Sequence, residues 1–276
     1  MPELPELEVM KDILQDNLPG RRIEGVEIPR PIVVRNLTEL HSSHLVGKAF
    51  TRVQRRGKFL ILSLDSSDHL VINLMLSGQL YFCPSPQRRL AKTFIILRLE
   101  GDMDLRYVDA RQMGKVYLTR DLSLVPGFAR QGPEALEVTF ESFKERLKRH
   151  RGEIKGVVIN QVFVAGIGNA YADEILFRAG VYPFKREPCL TGKEIRRLYE
   201  AMRAVLEESI AIIRERMGDQ IHLKFRDFLA VHGKGGSPCP RCGTPISEVR
   251  ARGRLTNFCR SCQPGIMIGR SCSLRG

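Results

Sequence analysis

Seven short segments in the first half of the chain place apolar residues at every second position or in unbroken runs: 22–28, 49–55, 59–64, 69–75, 93–99, 104–108 and 115–119. That rhythm predicts strands joined by turns, and their succession predicts an antiparallel sandwich or barrel. The pattern changes across the turn-rich stretch 127–133, which marks a boundary. From there on the apolar spacing lengthens to three and four, predicting helices over 139–149, 154–160, 170–179, 191–215 and 224–231. The tail from Gly233 follows neither period and is rich in Gly, Pro, Arg and Cys. It is too irregular to fold without a metal. The predicted class is therefore multidomain α+β, with an antiparallel β-sandwich or barrel over 1–130, a helical domain over 131–232 and a cysteine-bearing domain with a C-terminal extension over 233–276.

Charge narrows the partners. The 276 residues carry 44 Lys+Arg against 31 Asp+Glu, a net +13, and such a surface expects a polyanion, nucleic acid first. No apolar run is long enough to span a bilayer, and acidic residues stand where a signal peptide would be basic and then apolar. An intracellular protein with no membrane partner is expected.

Four of the seven cysteines fall between 239 and 262. Cys239-Pro-Arg-Cys242 and Cys259-Arg-Ser-Cys262 are two knuckles 16 residues apart, the spacing of a four-cysteine zinc ribbon. One structural Zn²⁺ in a closed tetrahedral shell is expected, with no open position for catalysis. Between Gly233 and Gly276 there are eight basic residues and one acidic one, Glu248, so the hairpin held by the metal would present Arg250, Arg252 and Arg254 to phosphate. Cys83, Cys189 and Cys272 have no partner at a suggestive spacing.

The chain opens Met1-Pro2-Glu3-Leu4-Pro5-Glu6. Pro5 and the acidic residues suit a helix start, with Leu7, Val9, Ile13 and Leu14 as its buried stripe. The same residues carry a chemical reading. Once Met1 is removed, Pro2 would be a free secondary amine with a pKa of roughly 8, partly an unprotonated nucleophile at neutral pH. Attack on a masked aldehyde would give a charged iminium that invites elimination, with Glu3 and Glu6 placed to move protons.

Together these features resemble the formamidopyrimidine-DNA glycosylase and endonuclease VIII superfamily over nearly the whole length, and the MPELPE opening is of the formamidopyrimidine-DNA glycosylase type. The resemblance implies a β-sandwich, a helix-two-turns-helix domain and a zinc finger. It implies a bacterial, cytoplasmic and monomeric enzyme of base excision repair that excises oxidised bases from duplex DNA and nicks the abasic strand by β,δ-elimination. Pro2 matches the Schiff-base nucleophile, Glu3 the acid/base residue and Glu6 the supporting carboxylate. Lys58, in Arg55-Arg56-Gly57-Lys58-Phe59, matches the lysine that binds the lesion phosphate and assists the first elimination, and Arg254 the zinc-finger arginine that supports the second. Gly166-Ile167-Gly168-Asn169 matches the glycine turn ahead of a phosphate-cradling helix. Arg151 and Lys155, in the basic run 144–155, fall where relatives contact DNA.

Some positions depart from the family pattern. Leu76, in Leu74-Met75-Leu76-Ser77-Gly78, stands at the methionine that fills the gap left by an extruded base. Arg111 and Met113, in Asp109-Ala110-Arg111-Gln112-Met113-Gly114, replace an arginine and phenylalanine pair with arginine and methionine. A wedge between base steps needs bulk more than a given side chain, so Leu76 and Met113 are expected to serve, with Arg111 reading the orphaned base. Lys92 stands where many relatives have a DNA-contacting histidine. Between Met217 and Gly233 the chain is short where efficient 8-oxoguanine enzymes hold a longer loop over the extruded base. The expected substrates are formamidopyrimidines, over-oxidised purines, oxidised pyrimidines and abasic sites, with 8-oxoguanine weak. The alternatives are an endonuclease VIII-like enzyme favouring oxidised pyrimidines and a non-enzymatic zinc-ribbon protein that binds nucleic acid by charge.

Overall fold

Glu3 and Glu6 start helix α1 (Leu4–Asn17) by capping each other's backbone, the Glu3 side chain accepting from the Glu6 N–H and the Glu6 side chain from the Glu3 N–H. Such a box satisfies two helix N–H groups that would otherwise be unpaired. Leu4, Leu7, Val9, Met10 and Leu14 form its buried face. The computed structural model describes residues 1–265 other than Glu39 and Arg252.

Nine strands follow: β1 (Ile23–Glu27), β2 (Val34–Asn36), β3 (Phe50–Arg56), β4 (Phe59–Leu64), β5 (His69–Asn73), β6 (Gly78–Pro84), β7 (Thr93–Leu99), β8 (Met103–Asp109) and β9 (Lys115–Thr119). They form a four-stranded sheet in the order β1-β7-β8-β6 and a five-stranded sheet in the order β2-β9-β5-β4-β3. Every ladder is antiparallel except β2 with β9, which is parallel. Phe50, Leu60, Leu62, Val71, Phe94 and Ile96 are fully buried between turns that stay polar. Helix α1 lies against β3 and β4, tied to β3 by Val53 N–H donating to Gln15 Oε1 (2.6 Å) and by the Arg55–Glu8 ion pair (2.5 Å).

The helical half contains α2 (Phe140–Leu147), α3 (Ile154–Val158), α4 (Asn169–Ala179) and α5 (Gly192–Met217), then a hairpin of β10 (Ser247–Ala251) and β11 (Arg254–Phe258). The helix expected over 224–231 is absent, and the chain turns there instead. The reason is tertiary: the buried Glu174 carboxylate accepts the backbone N–H groups of Ala230, Val231 and His232, which fixes a non-helical path. By packing, residues 1–130 group with 210–225, and 131–209 group with the residues from 226 onward. Cys83 is buried, its thiol pushed up by burial. Cys272, Arg252 and the tail beyond Gly265 lie outside the described residues.

Candidate active site

Pro2 immediately precedes the Glu3 cap and is buried, as are Glu3 (2% exposed) and Glu6 (0%). Glu6 Oε2 accepts the Glu3 N–H at 2.9 Å, so Glu6 holds the backbone that sets the direction of Pro2. The N–H groups of the first turn give this end of α1 a positive field suited to anions. Lys58 sits beside Gly57 in the two-residue turn between β3 and β4. Arg55 joins that turn to the helix, its Nε donating to Glu8 Oε2 and its Nη1 to the Gly57 carbonyl at 3.0 Å. Nothing in the sequence marked Glu8 or Arg55; the signal is tertiary.

Burial alone would raise the Glu8 carboxyl, but Arg55 and Lys11 hold it below its ordinary value. Asp12 is lowered, against its burial, by Lys11 and Arg214, and Asp68, also against its burial, by Ser66, Arg120 and His44. Carboxyls held below their unfolded values, about 3.9 for Asp and 4.3 for Glu, contribute stability that is full above those values and is lost as pH falls from them through the lower folded values. The melting temperature is therefore expected to fall between about pH 5 and pH 3, measured by circular dichroism. A midpoint unchanged over that range would contradict these pairings.

Two loops carry the expected wedge. Leu76 is 47% exposed and Met113 38% exposed, and Arg111 is exposed between them in sequence. Lys92 is exposed, and its carbonyl accepts the Asp109 N–H at 3.0 Å.

In the helical half Gly166 takes φ of 100°, a left-handed value that favours glycine. Gln161, not anticipated from the sequence, braces this turn by accepting the Gly166 N–H and donating to the Ile159 and Ile167 carbonyls. Asn169 is the first residue of α4, and its Nδ2 donates to the Leu255 carbonyl at 2.9 Å. Arg151 is exposed.

Lys155 requires correction as a phosphate clamp. It is 5% exposed, and its Nζ pairs with Asp173 Oδ1 at 2.7 Å while donating to the Leu255 carbonyl and Thr256 Oγ1, both at 2.8 Å. A lysine so committed cannot also reach solvent phosphate. It anchors β11 instead, one residue beyond Arg254. Asp173 Oδ2 also pairs with His232 Nδ1 and accepts the Asn257 N–H. Arg254 itself is exposed at the start of β11, opposite Ala251.

The sulfurs of Cys239, Cys242, Cys259 and Cys262 lie within 4.8 Å of one another. Four thiolates so close repel, and a divalent cation lets all four ionise together, which is the chemistry of structural zinc. The set fits one Zn²⁺, with Cys239 and Cys242 from one knuckle and Cys259 and Cys262 from the other. Gln263 locks the second knuckle, accepting the Cys259 N–H and donating to the Val181 carbonyl.

The chain matches three family descriptions in order: formamidopyrimidine-DNA glycosylase N-terminal domain over residues 1–116, formamidopyrimidine-DNA glycosylase H2TH domain over 131–220, and the zinc finger found in FPG and IleRS over 236–265. It is 37% identical to the formamidopyrimidine-DNA glycosylase of Pelotomaculum thermopropionicum, covering 95% of this chain and 99% of that one, and 35% identical to that of Desulforamulus reducens with the same coverage. Its backbone is similar to a Lactococcus lactis Fpg complexed with abasic-site DNA, with a TM-score of 0.87 and 29% identity over 95% of this chain and 100% of that one. A second L. lactis complex, with Fapy-dG DNA, matches with the same TM-score, identity and coverage. The class is thus a DNA-repair glycosylase with a helix-two-turns-helix segment and a zinc finger. The chain belongs to the formamidopyrimidine-DNA glycosylase family.

Proposed function

We propose that this chain is a bifunctional glycosylase and abasic-site lyase acting on oxidised bases in duplex DNA through an iminium at Pro2. The observation that carries the reading is the buried Pro2-Glu3 terminus held by Glu6 at the positive end of α1. With Met1 removed, the Pro2 nitrogen lone pair attacks C1′ of the damaged nucleotide. The glycosidic bond breaks with its electron pair leaving on the base, which takes a proton; Glu3 is placed as the acid/base group. The C1′–O4′ bond then opens, giving the iminium. Loss of a C2′ proton expels the 3′ phosphate, and a second elimination expels the 5′ phosphate. Lys58 assists the first elimination and Arg254 the second, each by gripping a phosphate whose negative charge grows as it leaves. Zinc holds the hairpin that carries Arg254 and takes no part in these steps.

DNA binding rests on Lys92, Arg151 and Asn169 for phosphate, and on Leu76, Arg111 and Met113 behind the extruded lesion. The enzyme would work as a monomer in the bacterial cytoplasm, drawn to the nucleoid by its charge. Among the described residues, no helix is long and apolar enough to cross a membrane.

Lesion preference follows from residues 218–223. This stretch is tied down: Ile221 is fully buried, the His222 ring stacks on Tyr81 at 4.1 Å, and Gln79 Nε2 donates to the His222 carbonyl. A segment so short and so engaged leaves little chain to wrap the edge that distinguishes 8-oxoguanine from guanine. Single-turnover excision of a formamidopyrimidine opposite cytosine is expected to exceed that of 8-oxoguanine in the same sequence. An equal or faster rate on 8-oxoguanine would refute the role given to this short segment. Preference for oxidised pyrimidines over both would favour the endonuclease VIII-like reading, which the short segment also supports.

A further inference from the structure

One carboxylate is shared by both wedge loops, 74–78 and 109–114. Asp109 is fully buried. Its Oδ1 accepts from Ser77 Oγ in the first loop and from the N–H groups of Arg111 (3.1 Å) and Gln112 (3.0 Å) in the second. Its Oδ2 accepts from Tyr107 Oη (3.1 Å) and from the Gly114 N–H (2.8 Å). Five donors converge on two oxygens, and they come from both loops and from β8.

The loops are also built alike. In each, the residue just before the apolar tip holds a left-handed backbone without being glycine: Met75, φ 47°, ahead of Leu76, and Gln112, φ 58°, ahead of Met113. Such residues keep that conformation only where surrounding bonds over-determine it. Each loop closes on a glycine packed at the same phenol. A Cβ on Gly78 would lie 2.6 Å from Tyr107 Oη, and one on Gly114 would lie 1.8 Å from it. Burial alone would raise the Asp109 carboxyl, yet Ser77, Gly114, Tyr107 and Arg111 hold it below its ordinary value, so it stays the full acceptor that five donors need.

We propose that Asp109 is a positioning residue that joins the two loops into one rigid wedge, so that Leu76, Arg111 and Met113 enter the base stack as a unit. The proposal rests on the reading of these three residues as the wedge. Its basis is that a preformed tip needs no ordering at the moment of base extrusion, and ordering two loops separately would cost conformational entropy twice.

The test uses the full-length zinc-loaded protein and one duplex carrying either a formamidopyrimidine opposite cytosine or a pre-formed abasic site. Asp109→Asn replaces one acceptor oxygen by an NH₂ that faces N–H or O–H donors. Ser77→Ala removes a single hydroxyl and carries the test should Asp109→Asn melt below the assay temperature. Each variant is expected to lose about tenfold more excision at the paired lesion than nicking at the abasic site, because only the paired lesion must be extruded. The second readout is coupling between Leu76→Ala and Arg111→Ala. In the wild type their combined effect should depart from the product of the single effects by at least about threefold, and in the Ser77→Ala background it should approach that product. Equal losses on the two substrates, or independent Leu76 and Arg111 effects in the wild type, would overturn the proposal. Wild-type protein that nicks neither duplex would instead overturn the proposed activity, so the two failures are distinguishable.

Discussion

Glu3→Gln is expected to slow base excision by about 10²- to 10⁴-fold, the usual worth of a positioned acid or base, with a smaller loss of nicking at a pre-formed abasic site. The leaving base most needs the proton, whereas elimination from an existing aldehyde starts further along. The substitution also disturbs the Glu3–Glu6 box least among the obvious changes, because a glutamine oxygen can still accept the Glu6 N–H. Pro2→Gly, or any residue retained ahead of Pro2, should lose most excision while the protein still binds abasic DNA. Burst kinetics on the two substrates measure both effects. A Glu3→Gln enzyme impaired equally on them would remove Glu3 from base departure.

The second large effect concerns the metal and the anchor beside it. Cys239→Ser, or chelation, is expected to unfold the tail and weaken DNA binding while leaving the two β-sheets folded, since structural zinc contributes on the order of 10 kcal/mol to such hairpins. Arg254→Ala should keep the metal, lower the salt slope of binding by about one phosphate contact and shift products from β,δ- toward β-elimination. Lys155→Met should resemble Arg254→Ala in products, not in salt slope. It leaves Asp173 buried without its lysine, at a cost of about 3–5 kcal/mol, and leaves the Leu255 carbonyl, which fixes the arginine's strand, held by Asn169 alone. A Lys155→Met protein with unaltered products would leave Lys155 a stabilising residue alone. Metal-free protein that cut DNA normally would contradict the organising part given to zinc.

Much of the architecture was legible where one period dominates. Strands β4, β7 and β9 fall on the predicted residues because their apolar runs have no competing signal, and the paired knuckles announced the metal cluster. Strand β6 escaped because its alternation lasts only from Gly78 to Tyr81, Phe82 and Cys83 break it, and Pro84 ends it. Strand β2 escaped because three residues carry no period at all. The apolar spacing over 224–231 is real, but Glu174, some fifty residues earlier, captures the N–H groups of Ala230 and Val231 and of His232 just beyond. The same blindness affected the site. Lys155 reads as part of a basic surface run until Asp173 is seen beside it, and Asp109 reads as one loop aspartate until Ser77 arrives from another loop. Pro2, Glu3, Lys58 and Arg254 stand in motifs that resemble the family's; Arg55, Gln161 and Gln263, which brace their surroundings, have no local signature. Side chains that meet only after folding leave no period in the sequence.

In this mechanism the α-nitrogen of Pro2 forms the covalent bond to DNA. Borohydride reduction during turnover on an abasic duplex, followed by proteolysis and mass spectrometry of the crosslinked peptide, tests it most directly. One crosslinked peptide beginning at Pro2, with the deoxyribose remnant on its N-terminal nitrogen, is expected, and no crosslink in protein that retains Met1. A crosslink on Lys58 or any other lysine, or full crosslinking with the Pro2 nitrogen blocked, would contradict it.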